Sequence, residues 1–216
     1  VMQRLSPQQP TVSHQTDRVP IERRRRTPSG DVRRLILDAA DQLLESRGLT
    51  GVTIRAVASQ AGTATMTVYN HFGDKQGLLA ALAEQHFREL TRLLQALNAS
   101  EPRQHLRRAC ALTHDVLVSR PRAYELMLGT APGPAAHSAF AQLVRIIERG
   151  QVVGAFVDGD ATALANAVWS TLHGALSIEV QQHHTEDCTT EWVNRIDMEV
   201  VLDLIERGVA RPAPEP

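Results

Sequence analysis

From Val32 almost to its end, the chain repeats apolar residues three and four positions apart, the spacing of one helical face. That pattern predicts an all-α fold of about nine helices, because no segment offers paired strands in its place. The first helix carries Val32, Ile36, Ala39, Ala40, Leu43 and Leu44 inward, with Ser29 or Asp31 to cap it and Gly48 to end it. Thr53 caps a second, short helix that turns Ile54, Val57, Ala58 and Ala61 inward and stops at Gly62. A third spans roughly Ala64 to His71, and Gly73-Asp74 breaks it. Asp74 can cap a fourth helix, whose stripe from Leu79 through Leu90 to Leu97 lasts about six turns. Further helices are expected at about 103–118, 121–129, 135–150, 161–183 and 189–209, separated by Pro121, Gly129 to Pro134 and Asp158-Gly159-Asp160. The short apolar run Gln151 to Val157 could be a strand. With no second strand to pair with, it reads as a helix end or loop.

The chain has 216 residues, 43% hydrophobic and 22% charged, enough for a real core in one or two domains. No apolar run approaches the ~20 residues that span a bilayer, and the first residues lack the apolar centre of a signal peptide. Two cysteines, Cys110 and Cys188, are too few for a disulfide framework, so a cytoplasmic location is expected. The net charge of -1 conceals an asymmetry. Residues 1–78 hold 11 Arg and Lys against 7 Asp and Glu, a balance of +4; residues 79–216 hold 12 against 17, a balance of -5. A basic front suggests a polyanionic partner. Residues 1–28, with four prolines and no periodic pattern, read as a disordered arm that ends in the basic run Arg23 to Arg26. That run is either a solvated charge cluster or an arm for DNA.

Two short helices joined by a glycine turn form a helix-turn-helix when the second can enter a major groove. The third helix suits that role. Val68 and Phe72 anchor its inner face, which leaves Thr65, Met66, Thr67, Tyr69, Asn70 and His71 outside. Asn can read adenine bidentately, Thr and Met methyls can pack on thymine, and Tyr and His can donate to phosphates. No acidic residue lies between Thr63 and Phe72 to repel a nucleic-acid backbone.

Residues from about Arg34 to Leu82 resemble the DNA-binding domain of the TetR (tetracycline-repressor) family. Thr53-Ile54-Arg55, Ala61-Gly62, Thr67-Val68-Tyr69, His71-Phe72 and Lys75 carry the likeness. It implies that Tyr69 and Lys75 contact phosphates and that Thr53 and Arg55 flank the groove. Lys75 is the only lysine in the chain, and it stands at the start of the fourth helix, where backbone N–H groups also favour an anion. The sequence departs from the family at two points. Thr63-Ala64 replaces the frequent Val-Ser, so Thr63 or Thr65 is expected to cap the third helix. Ala56 stands where many relatives have Asp.

This assigns residues 29–78 to the DNA-binding domain and 79–216 to a helical domain. In the resembled family the second domain binds a small ligand and forms a dimer. The segments Arg120 to Gly129 and Val168 to Gly174 resemble its Trp-x-x-x-His-Gly (WHG) C-terminal subtype. Trp169 and His173 share an apolar face with Leu172, Leu176 and Val180, where they are either pocket groups or satisfied core. Gly174 would let another helix approach. Leu94, Cys110, His114, Tyr124, Met127 and Phe140 are the further pocket candidates, each also readable as plain core. The dimer face is expected from Leu164, Val168, Ala175 and Ile178 on one helix and Val193, Ile196, Val200, Val201 and Leu204 on the next.

No GxGxxG, Walker loop or HExxH is present. The group His183, His184, Glu186, Asp187 and Cys188 fits no tight zinc spacing. No metal, cofactor or catalytic set is expected. The residues thus point to a homodimeric regulator that binds a palindromic double-stranded operator and answers to a mostly apolar small molecule, with no membrane partner. A repressor is the first reading; an activator, an orphan regulator, or a helical binding module or enzyme are the others.

Overall fold

The computed structural model describes residues 29–184 and 196–212. Among them are α1 (Ser29–Gly51), α2 (Ile54–Gln60), α3 (Thr65–Phe72), α4 (Lys75–Ala96), α5 (Pro102–Val118), α6 (Pro121–Gly129), α7 (Pro134–Val152), α8 (Ala161–His184) and α9 (Met198–Val209). The basic run Arg23 to Arg26, Val193 and Cys188 lie outside the described residues, as do the side chains of His183 and His184. No helix among the described residues is long and apolar enough to cross a membrane.

The boundaries follow local chemistry. Gly48 adopts φ 67° inside the span of α1, so the regular helix breaks where glycine alone is at ease. Thr53 accepts the N–H of Ala56, and Asp74 accepts the N–H of Gly77, as two side-chain caps. Proline occupies the first position of α5, α6 and α7, where its missing N–H costs nothing. α9 begins at Met198, where Asp197 caps it and accepts the N–H of Glu199, and residues 189–195 of the expected helix lie outside the described residues. The apolar run Gln151 to Val157 does end a helix, and its exit is held by one antiparallel bridge between Phe156 and Ala210.

Two cores result. The first gathers the inward faces of α1, α2 and α3, the front half of α4, and Ala123 and Leu126 from α6. Ile36, Leu44, Val57, Val68, Leu78 and Leu82 are fully buried in it, each contributing roughly 1.5–3 kcal/mol of transfer free energy. The second joins the back half of α4 to α5, α7, α8 and α9, with Tyr124 and Met127 from α6. α6 is therefore buried on two sides, and its neighbouring residues divide between the cores. Arg107 on α5 clamps α9 through Glu199, Asp203 and Glu206.

Val168 and Ala175 lie inside the second part of the molecule, 3% and 7% exposed, so they are not on the outer stripe expected for a dimer face. The apolar pattern of α8 is wide enough that its inner and outer stripes overlap in sequence, and Val168 turns toward α5 and α7. Ile178, Val200 and Leu204 are exposed, and Leu164, Ile196 and Val201 are half-buried. Among the described residues nothing lies near the position a Cβ on Gly174 would take, so no described helix of this chain uses that glycine for close approach.

Candidate nucleic-acid interface and effector cavity

The outer face of α3 is built by three constraints. Val68 and Phe72 fix the inward side. Gly62, at φ 63°, reverses the chain out of α2. Gly77 brings α4 against the end of α3, so closely that a Cβ there would lie 2.0 Å from the Phe72 carbonyl oxygen. What remains outside is Thr65, Met66, Tyr69 and Asn70, all exposed, with Thr67 and His71 half-exposed. Met66 and Tyr69 are 65% and 46% exposed, large for groups of their apolar area. Thr53 and Arg55 are exposed beside them on α2.

The start of α3 differs from the expectation. Ala64 is the capping residue and offers no side-chain bond, and neither Thr63 nor Thr65 replaces it. The backbone N–H of Thr63 is instead engaged with the carbonyl of Ala58, which fixes Thr63 in the turn. Lys75 is half-buried and donates from Nζ to the carbonyl of Leu49 at 3.3 Å, tying α4 to the end of α1. One of its three protons is so used, and two remain for another acceptor.

A cavity of about 320 Å³ opens in the second part of the molecule, with Tyr124, Met127, Phe140, Asn166, Trp169 and His173 in its wall. The size suits a small ligand. Its aromatic groups lock one another: Trp169 stands edge-on to His173 with centroids 4.1 Å apart, and Phe140 edge-on to Trp169 at 6.4 Å. Tyr124 Oη lies 2.9 Å from Nδ1 of His173 and 3.2 Å from Oγ of Ser177. Burial pushes the His173 pKa down to about 4, so the ring is neutral near pH 7. With the Tyr124 O–H donating to Nδ1, the ring proton sits on Nε2, which is buried without a protein partner.

Leu94 and Cys110 belong to a narrower apolar slot that shares Trp169 with this cavity. Burial raises the Cys110 thiol to about 12, so it is an inert apolar filler. His114 is not in the wall. Its Nε2 is 2.8 Å from Glu179 and its Nδ1 3.1 Å from Asp115, two carboxylates that hold the ring outside the cavity wall.

Sequence reasoning missed a polar network between the two cores. Nη2 of Arg120, the residue before α6, donates to both carboxylate oxygens of Asp41 on α1 at 2.8 Å and lies 3.2 Å from Glu45. His86 on α4, nearly buried, places Nε2 3.1 Å from Asp41. Arg122 donates to the carbonyl of Glu45. Burial alone would raise the Asp41 pKa; the neighbouring His86 imidazole and the Arg120 guanidinium more than reverse it and hold it below the usual carboxylate range. The contacting partners are 34 to 79 positions apart, so no local pattern announced them.

Residues 36–82 match the family described as "Bacterial regulatory proteins, tetR family", and residues 106–196 match "Tetracyclin repressor-like, C-terminal domain". Among curated proteins, the chain is 38% identical over 91 residues to the HTH-type transcriptional regulator BetI of Paraburkholderia phymatum, covering 40% of this chain and 46% of that protein. The chain spans less than half the length of the curated relatives it matches. Two solved structures share the fold. A protein of unknown function from Rhodococcus sp. RHA1 superposes with a TM-score of 0.68 at 28% identity, over 83% of this chain and 95% of that one. A TetR variant from Acinetobacter baumannii AYE, in complex with minocycline, gives 0.61 at 22% identity, over 80% and 93%.

Proposed function

We propose, from the premise that this chain belongs to the TetR family of bacterial regulatory proteins, that it is a cytoplasmic, ligand-responsive repressor. It acts as a homodimer on a palindromic operator, and a small, mostly apolar molecule releases it. The spacing of Trp169, His173 and Gly174 favours the Trp-x-x-x-His-Gly subtype of the second domain. Thr65, Met66, Thr67, Asn70 and His71 face bases or their flanking phosphates, and Tyr69, Lys75, Thr53 and Arg55 hold the backbone. Ile178, Val200 and Leu204, exposed in the single chain, supply the apolar centre of the two-fold contact. Two recognition helices about 34–36 Å apart, or a multiple of one duplex turn, then meet successive major grooves.

The observation that carries this reading is the double-sided helix α6. Tyr124 and Met127 line the ligand cavity, while Ala123 and Leu126 pack in the core of the helix-turn-helix. A ligand that displaces the first pair moves the second. It acts only through its differential affinity for the two arrangements. α4, continuous between both cores, is the second route.

The test is a selection of bound duplexes from a random pool, then titration of the enriched duplex with apolar molecules. A palindromic site with ligand-dependent release is the expected result. No enriched site overturns the DNA reading. A palindrome that no ligand releases favours an activator or orphan regulator.

A further inference from the structure

A second opening reaches the interior from the C-terminal end of α4. A groove of about 260 Å³ lies between Leu94 and Asn98 on and just after α4, His105 on α5, and Gln142, Arg145 and Arg149 on α7. Among the described residues its polar wall consists of guanidinium, imidazole and amide groups and contains no Asp or Glu. Arg145 and Arg149 stand four apart on one helical face, and like charges at that spacing repel. Among the described residues neither has an acidic partner, in contrast to Arg107 and Arg120. His105 adds a buried Nδ1 without a partner. Burial first, and the charge of Arg149 second, lower its pKa, so the imidazole is neutral and has one N–H to donate.

The floor of this groove is apolar and borders the interior slot. Leu94, Gln142 and Ile146 are walls of both the groove and the slot that holds Cys110 and Trp169. Trp169 is in turn a wall of the main cavity. Donors and positive charge therefore stand outside, and hydrocarbon and aromatic surface within.

We propose that the groove is the head-group site of the effector, which is an amphipathic anion. A carboxylate or phosphate sits between Arg145 and Arg149 within reach of His105, and an unbranched apolar body runs past Leu94 and Ile146 toward Trp169. This rests on the reading of the C-terminal cavity as the effector site. Guanidinium forks match carboxylate and phosphate oxygens in pairs. A neutral molecule leaves the two arginines repelling each other, and a cationic one adds to the repulsion.

The test is calorimetric titration of the full chain with decanoate, decyl phosphate and decanol. It compares the unaltered protein with Arg145→Gln/Arg149→Gln, and with Arg92→Gln as an exposed arginine outside the groove. The expected result is an anion bound about tenfold or more tighter than decanol, and an equal loss in the double variant alone. The tighter of the two anions assigns carboxylate or phosphate. Decanol binding as tightly as both anions, or anion binding unaltered in the double variant, overturns the proposal. Duplex release is followed in the same samples. Anion binding that depends on the arginines but releases no duplex leaves the anion site standing and overturns the effector reading. Release by decanol at lower concentration than by either anion supports the effector cavity and overturns the head-group site.

Discussion

Arg120 holds Asp41 through a single nitrogen that donates to both carboxylate oxygens, which ties the start of α6 to α1. His86 adds a contact from α4, so α1, α4 and the residue before α6 meet at one carboxylate. The pair is about one-quarter to one-third exposed, with Asp41 at 22% and Arg120 at 33%, so it is worth less than a dry ion pair. A double-mutant cycle with Asp41→Asn and Arg120→Gln should give a coupling of about 1–2 kcal/mol in thermal or urea unfolding. Zero coupling would show that the pair merely fills space. Amides of α1 should also exchange faster in Arg120→Gln, because α6 loses its charged tie to that helix.

The same contact sets an acid limit. Asp41 has a lowered pKa in the folded chain, so its contribution to stability is complete above the ordinary carboxylate value of about 3.9. It is lost as pH falls through the lower folded value. His173 acts in a higher window. Its folded pKa of about 4 lies below the ordinary value of about 6.5, so below 6.5 the unfolded chain takes up a proton that the folded chain refuses. Stability should therefore fall as pH drops from about 6.5 to 4 and level off below. Melting temperatures read across pH 7.5 to 4 test this. His173→Asn should flatten that slope, and an unchanged slope would assign it to other groups.

The helices were legible because each buries one face, and their ends because Gly48, Thr53, Asp74 and Pro121 act through local backbone chemistry. Seven of the eight cavity candidates line a cavity or slot, since apolar residues with one polar tip are what such walls are made of. His114 fits that description equally well, yet Glu179, 65 positions away, decides where its ring points. Arg145 and Arg149 carried no signal either, because arginine on an outer helical face is ordinary and only the missing carboxylates set these two apart. Val168 illustrates the remaining difficulty. On a helix with apolar residues over most of its circumference, periodicity identifies burial without saying against which neighbour.

The α3–α4 corner leaves no room for a methyl group. Gly77→Ala would drive its Cβ into the Phe72 carbonyl, a backbone atom that cannot step aside without moving the recognition helix. A loss of about 1–3 kcal/mol is expected, with duplex affinity falling further than stability alone explains. Full duplex affinity in a folded Gly77→Ala protein would show that the corner tolerates a shift.

At the other end of α3 the opposite sign is expected. Ala64 occupies the capping position in an extended conformation, φ -80° and ψ 148°, without a side-chain acceptor. Ala64→Ser supplies an oxygen for the first-turn N–H groups and should stabilise the chain by about 1 kcal/mol, or roughly 2–4 °C in melting temperature for a protein of this size. Differential scanning calorimetry at neutral pH measures it. No gain would mean that the serine rotates away from the helix.

On DNA the outward groups of α3 and Lys75 of α4 should separate by what they lose. Tyr69→Phe and Lys75→Ala each remove a donor to a phosphate, so both should weaken binding to selected and random duplexes alike. Lys75→Ala should also lower the slope of log affinity against log salt by about one. Lys75 carries a second cost, because its ammonium holds the carbonyl of Leu49 at the end of α1. Thermal melts of the DNA-free protein isolate that part. Asn70→Ala removes a side chain that can pair with adenine, so it should relax preference at one position of the site, by about 1–3 kcal/mol of discrimination, and leave random-duplex binding unaltered. Equal loss on selected and random duplexes would place Asn70 on the backbone instead. The base-reading role would then pass to Thr65, Met66 and Thr67 in the first turn of the helix.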